Sequence, residues 1–168
     1  MSTDPPTTAA SVPWSLDPDE PAGDRRFLAI GDLTLECGAV LPGVVVAYEG
    51  ADLMQVPQLV EHALTGDSHV VGPAGAGHPT AGWWEGLIGP GAPVDSDRYF
   101  VIATNVLGGC RGTTGPSSPA PDGRPWGSRF PRVTIRDQVA AEAAVADRLG
   151  IDRWAAVLGG SMGGMRAL

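Results

Sequence analysis

Ser161 stands in the segment Gly159-Gly160-Ser161-Met162-Gly163, directly behind the apolar run 155–158. Gly-x-Ser-x-Gly between a strand and a helix is the pattern of a nucleophile elbow. The glycines have a physical reason. So tight a turn strains the serine backbone, and bulky neighbours would strike the helix that follows. The hydroxyl then stands above the sheet, beside the N–H groups and positive dipole end of that helix. This suits attack on an acyl carbonyl. The Met162 N–H is placed as one oxyanion donor. The loop His62-Ala63-Leu64-Thr65-Gly66 is placed to supply a second. The competing reading is a glycine-rich serine turn that matches the pattern by chance.

A serine is a weak nucleophile without a base, usually a histidine oriented by an acid. The chain has three histidines, His62, His69 and His78, and all precede the serine. In this type of site the order is Ser, then Asp or Glu, then His, so none of the three fits the base. His62 is expected to support the oxyanion loop, with His69 and His78 in loops. No metal-ligand spacing connects them, and no metal is expected.

The elements that must position these groups are readable in outline. The segment 27–50 breaks at Gly31-Asp32 and Leu41-Pro42-Gly43, which predicts a meander of antiparallel strands. A short strand is expected at 58–61, and a continuous buried strand at 98–106. Between them, 82–98 reads as a turn of helix followed by a Pro/Gly loop. A long Gly/Pro/Ser loop covers 107–132. Thr134 with Asp137 forms a near capping box. Ile135, Val139, Ala143, Ala146 and Leu149 recur at helical spacing, and Gly150 is a natural C-cap. The run 153–158 is a further buried strand, leading into the elbow. Strands alternating with helices after an antiparallel start indicate an α/β sheet with parallel central strands. Leu64, Asn105 and Ser161 each fall just past a predicted strand, at the sheet edge where functional groups gather.

Composition narrows the function further. Of 168 residues, 43% are hydrophobic and 18% charged, which suits a globular protein. The net charge of −8 and the scattered basic residues disfavour nucleic acid as a partner. No apolar run approaches a membrane span, and no signal-peptide pattern opens the chain, so a cytoplasmic location is expected. Cys37 and Cys110 match no zinc or redox spacing and read as free thiols, a single disulfide being the alternative. Residues 1–25 are rich in Pro, Asp, Thr and Ser and read as a flexible leader, with residues 26–168 as the catalytic-domain part.

Several stretches together resemble the homoserine O-acetyltransferases of methionine biosynthesis. They are LECGAVLPGVVVAYE, EHALTGDSHV, GWWEGLIGPGAPVDSDRYFVIATNVLGGCRGTTGPSS, WGSRFPRVTIRDQV and GGSMGGMRAL, spread over residues 35–168. The stretch GADLMQVPQLV departs from the family pattern and is shorter. The resemblance implies the N-terminal half of an α/β-hydrolase fold: antiparallel first strands, then parallel central strands up to the elbow. It implies transfer of an acetyl group from acetyl-CoA, as co-substrate, to the hydroxyl of L-homoserine by double displacement, with no bound cofactor. Ser161 resembles the nucleophile that becomes acetylated. Leu64 and Met162 resemble the backbone oxyanion donors. Asn105 and Arg111 bound a loop that resembles part of the active-site tunnel wall, and the resemblance makes both candidate substrate-binding residues. The family's catalytic Asp and His, and the residues holding homoserine's charged ends, have no position among these residues. The resemblance thus implies a fragment, inactive alone, of an enzyme that is a homodimer when full-length.

Three rivals remain open. The first is the same family with another donor or acceptor, such as succinyl-CoA or serine. The second is an ordinary hydrolase on this fold, and the third a non-catalytic truncated product. Trp83-Trp84 is expected to pack in the core or under a loop, ligand stacking being the alternative. Arg111 is open between CoA phosphate and a loop hydrogen bond. Asp95, Asp97 and Arg98 read as a solvated turn.

Overall fold

A computed structural model of the chain describes residues 23–50 and 55–168. Most of the expected leader, and residues 51–54 of the stretch that departs from the family pattern, lie outside them. The core is one five-stranded sheet. Strands β1 (Arg26–Thr34) and β2 (Val40–Gly50) pair antiparallel, with Leu28 opposite Val46 and Thr34 opposite Val40. The two expected strand breaks prove to be irregularities within these strands. Gly31, at φ 91°, forms the bulge, and Asp32 accepts the Gly43 N–H at 2.9 Å across it. The turn itself is at 35–39, closed by Leu35 N–H to the Ala39 carbonyl at 2.9 Å.

The strands β3 (Val56–Glu61), β6 (Tyr99–Thr104) and β7 (Ala156–Gly159) complete the sheet in the order β1-β2-β6-β3-β7. β3 runs parallel to both its neighbours, and β6 runs antiparallel to the end of β2. The expected antiparallel start and parallel centre are therefore present.

Pleating divides the sheet into two packed faces. Val60 and Ala103 face a cluster with Val70, Ile88 and Val94, on which Trp83 and Trp84 pack. Trp83 also donates to the Asp67 carbonyl at 2.9 Å. The tryptophans thus serve the core, as expected. Across the sheet, Ile30, Leu41, Val44, Val46 and Leu107 pack on Ala141 and Val145 of α1 (Ile135–Leu149). Beside them, Leu59, Ile102 and Tyr48 form a third cluster with Phe100.

Two expectations are corrected. Residues 82–98 hold no helical turn. Gly86, Gly89 and Gly91 all take positive φ, which helix cannot use, and the segment folds into turns around the two-residue strands β4 (Ile88–Gly89) and β5 (Val94–Asp95). In α1, the capping box and the left-handed Gly150 cap are present, but the apolar set first read is inward only in part, through buried Ala146 and through Leu149, which packs on the core. Val139 and Ala143 are exposed, while Asp137, Ala141, Glu142, Val145 and Ala146 are buried. Two acidic side chains lie on the inward face, and each has a partner there.

Candidate active site

The elbow is formed. Ser161, between β7 and the short helix α2 (Met162–Ala167), has φ 56° and ψ −124° and is the one non-glycine residue with positive φ among those described. A backbone held there costs about 1–3 kcal/mol and marks a place where the surroundings over-determine the conformation. The side chain is exposed. The two motif glycines are needed for contact, not only for turning. A Cβ on Gly159 would sit 2.5 Å from the Gly163 carbonyl carbon and 2.9 Å from Glu61 Cβ. A Cβ on Gly163 would overlap the Glu61 carbonyl oxygen and lie 3.0 Å from the His62 carbonyl oxygen. The first turn of α2 therefore rests directly on the backbone at the end of β3.

Register explains why residues distant in sequence meet. Glu61 is level with Thr104 on one side and with Gly159 on the other. The exits of β6, β3 and β7 thus leave the sheet in one row. Leu64, Asn105 and Ser161 follow that row at the carboxyl edge. Leu64 is 76% exposed in its loop. Neither the Leu64 nor the Met162 N–H donates to another group among the described residues. His62 holds this loop. Its Nε2 accepts the Val106 N–H at 3.1 Å, so Nδ1 carries the proton and donates to the Ala63 carbonyl at 2.6 Å. Burial lowers the His62 pKa, with Arg166 adding to the effect, which keeps the ring neutral as this bond pattern requires.

Asn105 is buried, and its amide is committed to loop structure. Oδ1 accepts the Ser68 N–H at 2.8 Å, and Nδ2 donates to Ser68 Oγ at 2.9 Å and to the Arg111 carbonyl at 2.8 Å. Arg111 is part-exposed, its Nε 3.8 Å from Asp67 Oδ2. The long loop after β6 is anchored by threonines. Thr114 Oγ1 takes the Val45 N–H and Thr113 Oγ1 takes the Ala47 N–H, both at 2.9 Å, where β6 no longer covers β2. Cys37 and Cys110 are free and exposed.

Two charged clusters escaped the sequence reading. Beneath the elbow, Arg166 of α2 lies between Glu142 of α1, 2.6 Å away, and Glu61 of β3, 2.9 Å away. Burial, with the neighbouring Glu142 carboxylate, pushes Glu61 up to about 9 despite Arg166, and burial raises Glu142 too, so the two carboxyls hold a proton between them. The signal was available: Glu61 closes an apolar strand, and Glu142 shares a helix face with Ala141, Val145 and Ala146.

The second cluster joins Glu49 of β2 to His69 and His78, two histidines read as loop residues with no metal-ligand spacing between them. Their ligand atoms lie within 4.8 Å of one another. The geometry is not that of a cation site. The two rings stack 3.8 Å apart at 12°, so their in-plane lone pairs cannot converge on one ion. His78 Nε2 accepts the Asp24 N–H at 3.1 Å, leaving the proton on the Nδ1 that faces Glu49. His69 approaches Glu49 Oε2 at 3.0 Å through Nδ1 and the Pro73 carbonyl at 3.3 Å through Nε2. Burial opposes the charged ring, but the Glu49 bond and charge outweigh it and raise the His69 pKa. A cavity of about 570 Å³ opens beside Glu49, Ser68 and Tyr99, and Ser161 does not line it.

A mixed sheet, a strained serine after its last parallel strand and a loop with an open amide define a class: the chain belongs to the alpha/beta hydrolase fold family, which matches residues 59–168. Within that class it is similar to the homoserine O-acetyltransferase of Thermobifida fusca (strain YX), 65% identical over 154 residues, covering 89% of this chain and 41% of the relative. The chain thus spans about two fifths of the length of the curated relatives it matches. The crystal structure of homoserine O-acetyltransferase from Bacillus anthracis superposes with a TM-score of 0.75 at 32% identity, over 85% of this chain and 41% of that one. Esterase E22 superposes at 0.76 with 36% identity, over 85% and 42%. No helix among the described residues is long and apolar enough to cross a membrane.

Proposed function

We propose that this chain is the nucleophile-bearing part of an L-homoserine O-acetyltransferase. The observation that carries the reading is Ser161, held at φ 56° between β7 and α2, together with 65% identity to a relative named for that activity. In the full-length protein Ser161 Oγ attacks the acetyl-CoA carbonyl. A histidine base, oriented by an acid, takes the hydroxyl proton. Both lie in sequence beyond these residues, because this class places them after the serine. The oxyanion is received by the Leu64 and Met162 N–H groups. The C–S bond breaks, and CoA leaves as the thiol with that proton. Homoserine's hydroxyl then attacks acetyl-Ser161, its proton passing to the same base; the Ser161 Oγ–acyl bond breaks, Oγ takes that proton back, and O-acetylhomoserine departs.

Asn105 and Arg111 enter this reading as supports of the wall beside the site, since the Asn105 amide is consumed by Ser68 and the Arg111 carbonyl. The reading carries with it a place in methionine biosynthesis, a cytoplasmic location, small-molecule substrates only and a homodimeric enzyme. The likeness to esterase E22 supports a second reading, in which water takes the acyl group. One experiment separates them. Full-length protein is supplied with acetyl-CoA, and thiol release is followed with and without homoserine. Transferase action gives homoserine-dependent release that Ser161→Ala abolishes. Release indifferent to homoserine favours the hydrolase, and an unaffected Ser161→Ala variant refutes both readings.

A further inference from the structure

We propose that Arg166 is a positioning residue that locks the two halves of the oxyanion hole to each other. The inference rests on the acyl-transfer reading of Ser161. The two donor amides belong to different pieces of chain. Met162 rides on α2 with the nucleophile. Leu64 rides on the loop that leaves β3. Catalysis by such donors depends on holding both at one spacing before charge develops. His62 cannot set that spacing, because its ring ties the loop to Val106, at the exit of β6, and not to α2.

Arg166 makes the missing connection. From α2, its Nη2 donates to the His62 carbonyl at 3.0 Å, at the root of the Leu64 loop. Nη1 donates to Glu142 Oε1 at 2.6 Å, and Thr104 Oγ1 donates to the same oxygen at 3.2 Å. Glu61 Oε2 lies 2.9 Å from Nη2. One fully buried guanidinium therefore touches α2, α1, the end of β3 and the oxyanion loop. With a single proton held between Glu61 and Glu142, the cluster of two carboxyls and one guanidinium is neutral.

Stability alone is a poor reason for such a cluster. Buried ion groups are often replaced by apolar side chains with no loss of stability. What an apolar side chain cannot supply is the directed bond to the His62 carbonyl. The packing of Gly163 on Glu61 and His62 fixes how closely α2 approaches, and the Arg166 bond fixes the orientation of the carbonyl it meets.

The test uses the full-length protein and the acylation burst of Ser161 with p-nitrophenyl acetate, which reports the oxyanion hole whatever the acyl acceptor. Arg166→Met combined with Glu142→Gln removes both charges, so the remaining Glu61 carboxyl has no unpaired ion beside it. The expected result is a folded protein whose acylation rate falls roughly 10- to 100-fold, below the loss of about 10²–10³ seen when a donor is removed outright. KM for acetyl-CoA should stay within about two-fold, since ground-state binding does not use the oxyanion contacts. Arg166→Lys keeps the charge but offers one nitrogen for three partners, so an intermediate rate is expected. A folded double variant that acylates at the unaltered rate overturns the proposal. If the double variant does not fold, Arg166→Lys decides, and full rate there overturns it. Absence of any burst in the unaltered protein, or a burst unaffected by Ser161→Ala, refutes the nucleophile reading and this inference with it.

Discussion

Replacing Gly163 by alanine tests whether the elbow depends on backbone contact. The added Cβ would lie 2.7 Å from the Glu61 carbonyl carbon and 3.0 Å from the His62 carbonyl oxygen. Carbon atoms pack best at about 3.5 Å, and the overlapped Glu61 carbonyl oxygen is nearer still, so α2 must retreat by at least about 0.8 Å from β3. Every atom in the way is backbone, so no rotamer change relieves it. Overpacking of this kind costs about 1–3 kcal/mol. The retreat also carries Ser161 and the Met162 amide away from the Leu64 loop, and a misplacement of about 1 Å can cost about 10²-fold in rate. Gly160 is the internal control for stability. A Cβ there meets nothing within 4 Å, and its φ is not positive. We expect urea unfolding of the full-length protein to show a loss of at least about 1 kcal/mol for Gly163→Ala. Gly160→Ala should change it by less than about 0.5 kcal/mol. The acylation burst of Gly163→Ala should fall by about two orders of magnitude. Equal stability of the two variants, or an unaltered burst in Gly163→Ala, would refute the contact argument.

Ser161→Gly should be more stable than Ser161→Ala by about 1–2 kcal/mol, because only glycine adopts this backbone without strain; both should lack the acylation burst, and denaturant midpoints check the difference. Asp137→Ala removes the Thr134 capping box and the acceptor of the Glu36 N–H at 2.7 Å, so we expect a loss of about 2–3 kcal/mol in urea unfolding. The two shifted histidines should tilt stability in opposite directions with pH. His69, raised, contributes stability that is present below about pH 6.5 and is lost as pH rises through its folded value, so His69→Gln should cost more near pH 6 than near pH 9. His62, lowered, contributes stability present above about pH 6.5 and lost as pH falls through its folded value, so the cost of His62→Gln should shrink on acidification.

What the sequence disclosed follows from how local each signal is. The α1 caps are bonds between residues three or four apart, and Thr134, Asp137 and Gly150 could be read directly. The elbow is equally local, since five consecutive residues carry its geometry. The parallel centre was legible because β6 and β7 read as apolar runs, although only β3 and β6 are largely buried and β7 is half-buried. Apart from 82–98, where glycines within the segment itself turned the chain away from helix, the failures are long-range. Val139 and Ala143 fit the helical period, but the sheet buried Asp137 and Glu142 instead, each having found a partner outside its own helix. The Glu49–His69–His78 stack closes through a fold in which residues 20 apart in sequence face one another. The threonine anchors of the long loop reach β2 across 69 and 66 positions. Spacing along the chain carries no trace of such contacts.

On the acyl-transfer reading, the described residues supply the nucleophile and the oxyanion amides, while the base that activates Ser161 follows in sequence. Ser161 and Leu64 are exposed, and Met165 beside them on α2 is 62% exposed. A transferase must keep water from its acyl-serine long enough for the acceptor to attack. These same elements occur with 36% identity in an esterase and with 32% identity in an acetyltransferase. We therefore propose, on the acyl-transfer reading, that acceptor choice belongs to elements outside residues 23–168. A chimera tests this. The matching segment of esterase E22 replaces this chain in the full-length protein, and the ratio of acetylhomoserine to acetate is measured from acetyl-CoA. If the argument holds, the ratio stays that of the parent, even where the rate drops through imperfect packing. A shift of the ratio toward acetate by about tenfold, equivalent to about 1.4 kcal/mol between the two acceptors, would place part of the water exclusion within the elbow and oxyanion loop themselves.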